Sequence, residues 1–114
     1  MDIKVTEVSI FTKKVTKLIK THELNSEDYN AFKHVISENP EMGDIIQGTG
    51  GLRKTRLKSS SKGKSGGFRV CYYYHDKKNK EIFLITIYPK NEKSDITPEE
   101  KKDLKALVNL IKGK

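Results

Sequence analysis

The sequence contains one cysteine, Cys71, in 114 residues. No intrachain disulfide can form, which suits a reducing compartment. Long apolar runs are also missing. The amino terminus, "MDIKVTEVSIFTKKV", has no run of signal-peptide length. No segment approaches the roughly 18 apolar residues of a membrane span. These absences lead us to expect a soluble, cytoplasmic protein with no membrane partner. Histidine is scarce and scattered, at His22, His34 and His75. With a single cysteine, these residues cannot build a zinc cluster. No metal ligand set, cofactor motif or nucleophilic triad is evident.

One further absence is local. Residues 45–75 contain seven Lys/Arg and no Asp or Glu. Residues 1–44 carry a net charge of −2 and residues 76–114 a net charge of +3, so the middle segment supplies nearly all of the overall +8. A generally basic, soluble surface would not need this concentration. It favours a polyanionic partner such as nucleic acid.

The length allows one domain, taken here as residues 1–114, with one modest core. Ile3–Phe11 is β-branched and roughly alternating, which predicts a strand. In "TKKVTKLIK", Val15, Leu18 and Ile19 have helical spacing, with Thr12 as the expected cap. Asn25–Pro40 predicts a stronger helix, capped by Asn25 or Ser26 and ended by Pro40. Its expected apolar face is Tyr29, Phe32, Val35 and Ile36, with His34 beside it as a surface residue.

Gly43–Gly51 reads as a loop and Leu52–Lys58 as a strand. Ser59–Gly66 reads as a flexible hairpin loop. "GFRVCYYYHD" and "EIFLITIYP" are the most apolar runs and the expected central strands. Thr97, Pro98 and Glu100 have the pattern of a capping box opening a last helix. Leu104, Leu107, Val108 and Ile111 form its apolar stripe, read as docking on the chain's own sheet. The expected order is strand, two helices, three strands and a helix. This gives an α+β fold with helices packed on one side of a mostly antiparallel sheet.

"GKS" at Gly63-Lys64-Ser65 has the look of the end of a phosphate-binding loop. That loop needs a glycine five residues before its Gly-Lys, with a helix following. Lys58 occupies the glycine position, and a strand follows. "GTGGLRKT" (Gly48–Thr55) places Arg53 where its second glycine belongs. Neither segment fits.

The basic strands carry more information. Residues two apart on a strand share a face. Lys54, Arg56 and Lys58 therefore lie on one face and Arg53 on the other. On the next strand Arg69 shares a face with Cys71 and Tyr73. If Arg69 stands across from Lys54 or Arg56, three positive charges converge. Like charges side by side on a sheet are destabilising, so a bound polyanion would rationalise them. The plainer alternative is a solvated basic edge. RNA suits such a patch, because its own 2′-hydroxyl can attack the adjacent phosphate. Lysines near other cations can then move protons, and arginines can stabilise the anionic phosphorane.

"MGDIIQGTGGLRKTRL", "KGKSGGFRVCYYYHD" and "IFLITIYPKNEKSDIT" together resemble the RelE superfamily of bacterial toxins, and within it the HigB-type branch. The resemblance covers about Glu38 to the carboxyl terminus. It implies a small curved antiparallel sheet flanked by N-terminal helices and a C-terminal helix. It also implies a toxin of a type II toxin–antitoxin module, an endoribonuclease that cuts mRNA in the ribosomal 30S A site by 2′-hydroxyl attack, without a metal or other cofactor. A cognate antitoxin protein would neutralise it.

By motif, the resemblance gives Lys54, Arg56 and Arg69 catalytic roles, with a further basic residue from Lys90 or Lys93. Arg53, Lys58, Lys62, Lys64 and Asn91 are the expected RNA contacts. Two departures stand out. Asn91 occupies a position where arginine is common, and Thr97 one where tyrosine is frequent. Tyr88 and Tyr73 are candidate replacements for that tyrosine. The alternative reading is a ParE-like toxin that binds DNA gyrase without cutting RNA.

Overall fold

The protein is described by a computed structural model covering residues 3–60, 67–77, 79–92 and 95–113. Strand β1 (Lys4–Glu7) leads into helices α1 (Ser9–Lys20) and α2 (Ser26–Glu38). Strands β2 (Asp44–Ile45), β3 (Arg53–Leu57), β4 (Phe68–His75) and β5 (Glu81–Pro89) follow, and helix α3 (Pro98–Lys112) closes the order. The five strands form one sheet in the order β1-β5-β4-β3-β2. β1 runs parallel to β5, and the other neighbours are antiparallel. The two most apolar runs are central, as their composition predicts.

The sheet is covered on both faces, not on one. Phe11, Val15, Phe32 and Ile36 of α1 and α2 cluster with Phe68, Val70, Tyr72, Leu84 and Ile87. Val108 and Ile111 of α3 cluster with Cys71, Tyr73 and Ile85. Strands β4 and β5 are apolar on both sides because each side receives a helix.

A bulge in β5 reconciles its sequence with this two-sided burial. Tyr72 pairs with Leu84 and Cys71 with Thr86, so Ile85 is the extra residue. Leu84 and Ile87 then both reach the α1/α2 face despite their odd spacing.

Two amino-terminal expectations need correction. β1 ends at Glu7 and α1 begins at Ser9, so Phe11 lies on a helix. Val8 still donates its N–H to Leu84 O at 3.1 Å, and the chain turns directly from ladder to helix. Thr12 is therefore inside α1 and caps nothing. Its hydroxyl donates to Glu7 Oε1 at 2.9 Å. The short strand β2 was not legible, because two residues carry no periodicity.

The other caps match the sequence. The Asn25 side chain accepts from Glu27 N at 2.7 Å. Thr97 and Glu100 form a reciprocal capping box, with Pro98 opening the helix. His34 is exposed and sits 2.8 Å from Glu38.

Candidate nucleic-acid interface

The register of β3, β4 and β5 builds the site. Arg56 lies directly opposite Arg69, and Arg69 lies directly opposite Tyr88. One step along, Lys54 is opposite Cys71, which is opposite Thr86. Alternation places Lys54, Arg56, Arg69 and Tyr88 on the face that α3 covers in part. Two guanidinium-bearing residues thus form a cross-strand pair, the least favourable neighbours a sheet offers.

Gly67 holds the end of this hairpin. Its φ is +70°, and a Cβ there would stand 2.4 Å from Leu57 O. Only glycine permits that approach. Gly67 O also accepts from Lys90 N at 3.1 Å, which ties the start of the segment after β5 to the basic row. Lys90 and Asn91 lie exposed beside it.

That segment ends in Asp95, whose Oδ2 lies 3.6 Å from Lys54 Nζ. Ile96, next in the chain, is buried in the α3-side core and anchors the segment. Asp95 was not picked out from the sequence. Its partner is 41 positions away, and no local pattern marks the contact.

Arg69 is half-buried, and its Nε–H has no hydrogen-bond partner among the described residues. Tyr88 is buried, and its hydroxyl is pushed up to about 12, chiefly by burial. Cys71 and Asp95 push the same way, and Arg69 opposes them. At neutral pH this phenol is a proton donor and not a base. Tyr73 is packed with α3 and its hydroxyl is also raised, mainly by burial.

Not all the predicted residues join this site. Arg53 projects from the opposite face, across from Tyr72. It is 18% exposed there, and it donates to Gly43 O at 2.7 Å and Glu41 O at 3.1 Å. Tyr72 secures the same turn by donating to Pro40 O at 2.8 Å. Arg53 thus holds residues 41–43 and stands apart from the basic row. Lys58 is exposed just beyond β3. Lys62, Lys64 and Lys93 lie outside the described residues. Thr97 is held in its capping box and does not stand in for the family tyrosine.

Known proteins agree with this architecture. The family model for the RelE toxin of the RelE/RelB toxin–antitoxin system matches residues 8–113. The chain belongs to the RelE family. A mutant of the E. coli toxin RelE, solved in the free state, shares the fold with a TM-score of 0.58 and 18% sequence identity. That match covers 93% of this chain and 96% of the other. Membership makes the protein a toxin of a toxin–antitoxin module, with an antitoxin as its partner. No helix among the described residues is long and apolar enough to cross a membrane. No cluster of three or more metal-ligating side chains is present among them.

Proposed function

We propose that this RelE-family toxin is a ribosome-dependent mRNA endoribonuclease of the HigB type, acting in the cytoplasm as one domain over residues 1–114. The observation that carries this reading is the Arg56–Arg69 cross-strand pair. Neither guanidinium forms an ion pair with a described residue. A phosphate lying across the pair would relieve the repulsion and offer Arg69 Nε an acceptor.

In the proposed reaction the 2′-oxygen of the RNA bonds to the adjacent phosphorus, and the bond from phosphorus to the 5′-oxygen breaks. The neutral amine of Lys54 accepts the 2′-hydroxyl proton, and the Asp95 carboxylate stabilises the ammonium that forms. Arg56 and Arg69 stabilise the phosphorane. Tyr88 stands beside Arg69 as a neutral hydrogen-bond donor. Lys90 protonates the leaving oxygen, a role for which Lys93 remains the alternative. Asn91 and Lys58, with Lys62 and Lys64, contact the RNA backbone. Every proton donor and acceptor in this route is a side chain, so it calls on no metal.

The test is primer extension on an mRNA translated in a purified system. Cuts at defined codons, with a 2′,3′-cyclic phosphate on the upstream fragment, are expected. A 2′-deoxy nucleotide at the cut position should abolish cleavage. Cutting that tolerates this replacement would overturn the mechanism. Intact mRNA together with inhibited gyrase would establish the ParE-like alternative.

A further inference from the structure

The sheet edge beyond β1 is flanked by a helix and not by a strand. β1 pairs with β5 only as far as Glu7 and Leu84. From Ile85 to Pro89 the outer side of β5 faces α1. α1 carries Lys13, Lys14, Lys17 and Lys20 and no acid. Lys14 reaches across this edge, and its Nζ donates to Thr86 Oγ1 at 3.0 Å. Thr86 is in register with Cys71, and Cys71 with Lys54, so α1 is joined to the basic row.

A groove of about 580 Å³ lies between α1 and the end of β5. That is room for a nucleoside-sized ligand. Leu18, Ile87 and Pro89 give it an apolar floor, and Tyr88 borders it. Ile87 and Tyr88 belong to opposite faces of the sheet, so the groove wraps round the strand edge. Lys14, Lys17, Glu23 and Glu92 form its walls. Glu23 N and Leu24 N donate to Leu18 O at 2.9 and 3.0 Å, and this fold-back sets Glu23 beside Leu18. Glu92 is exposed, held by a turn in which its N–H donates to Pro89 O at 3.2 Å.

We propose that this groove reads a guanine base of the RNA, on the nucleotide that carries the leaving 5′-oxygen, with Glu92 as the specificity-determining residue. This rests on the endoribonuclease reading and names a base that the site selects. The mixed charge of the walls chooses the ligand. Two lysines and two glutamates cancel, so the groove exerts no net pull on a phosphate, unlike the basic row beside it. Carboxylates repel an RNA backbone but accept from base N–H groups. Bases of single-stranded RNA are read on their Watson–Crick edges. Alone among the four bases, guanine presents there two adjacent N–H donors, at N1 and N2, for one carboxylate to accept together. Its O6 stands beside them as an acceptor for an ammonium, which Lys14 and Lys17 supply. Strand order names the nucleotide. Lys54, on β3, takes the 2′-hydroxyl proton, and Lys90, after β5, protonates the leaving oxygen. The departing nucleotide therefore lies toward β5 and α1.

The experiment measures single-turnover cleavage on programmed ribosomes, with guanosine, inosine or adenosine directly after the cut. Wild type should cut before guanosine at least about tenfold faster than before adenosine. Inosine keeps N1–H but lacks the N2 amino group, and should fall between them. Glu92→Gln offers one acceptor in place of two, and should shrink the guanosine-to-adenosine ratio by about fivefold or more. Glu38→Gln, an exposed carboxylate at the end of α2, is the control and should keep the wild-type ratio. A wild type without guanine preference, or a ratio unchanged in Glu92→Gln, overturns the proposal. So does an equal fall for all three bases. A variant that loses antitoxin affinity with the ratio intact marks the groove as a protein site and overturns it too.

A parallel titration needs no cleavage. On methyl-labelled toxin, guanosine monophosphate should shift the Leu18 and Ile87 methyl signals, and Glu92→Gln should weaken the effect. Adenosine monophosphate carries the same phosphate and should leave those signals in place. If the wild type fails to cut mRNA, shifts that depend on Glu92 keep the base-reading groove while the endoribonuclease reading falls. Absent shifts in an inactive protein overturn both.

Discussion

Arg56 and Arg69 face each other across β3 and β4, and the fold gains nothing from the pairing. Opposed like charges on a sheet destabilise it by about 0.2–1 kcal/mol. Arg56→Gln should therefore leave stability unchanged or raise it by about that amount while cleavage collapses. Urea denaturation beside a cleavage assay would check this, and a clear loss of stability would show that Arg56 serves the fold. The parity of the basic residues was legible, because alternation on a strand is local. The pairing of Arg56 with Arg69 was legible only as one of two registers. Asp95 was not legible at all, since its contact with Lys54 depends on the path of a loop anchored by Ile96. Arg53 shows the opposite limit. Its face was readable, but its clamp on Glu41 and Gly43 was not.

Elements were readable where their signals were local. The capping box of α3, the Asn25 cap of α2 and the two central strands follow from short patterns. The start of α1 did not, because the β-branched run from Ile3 extends past the point where the chain turns. Helices on both faces were also hidden, since alternation shows that a strand has two sides and not what covers each. The β3–β4 hairpin is the element on which the site depends. Gly67→Ala would force φ +70° on a residue with a Cβ and press it against Leu57 O. We expect a loss of about 1–3 kcal/mol in thermal unfolding, with cleavage reduced further than stability alone explains. Wild-type stability in this variant would show that the hairpin end is less constrained than its geometry indicates.

The molecule as a whole is a basic row set on a sheet packed from both sides. The concentration of positive charge in residues 45–75 was visible in the sequence, and the fold turns it into a place. Burial of Tyr88 and the α3-side core gives that place a rigid floor. The Lys54–Asp95 pair is partly exposed, so it adds at most about 1 kcal/mol to stability. The central claim is that Arg69 stabilises charge on an RNA phosphate at this row. The most direct measurement is the single-turnover rate of mRNA cleavage on programmed ribosomes, wild type against Arg69→Ala, both confirmed folded. The account predicts a fall of about a hundredfold or more, the scale of losing one transition-state donor. Equal rates in the two proteins would contradict it.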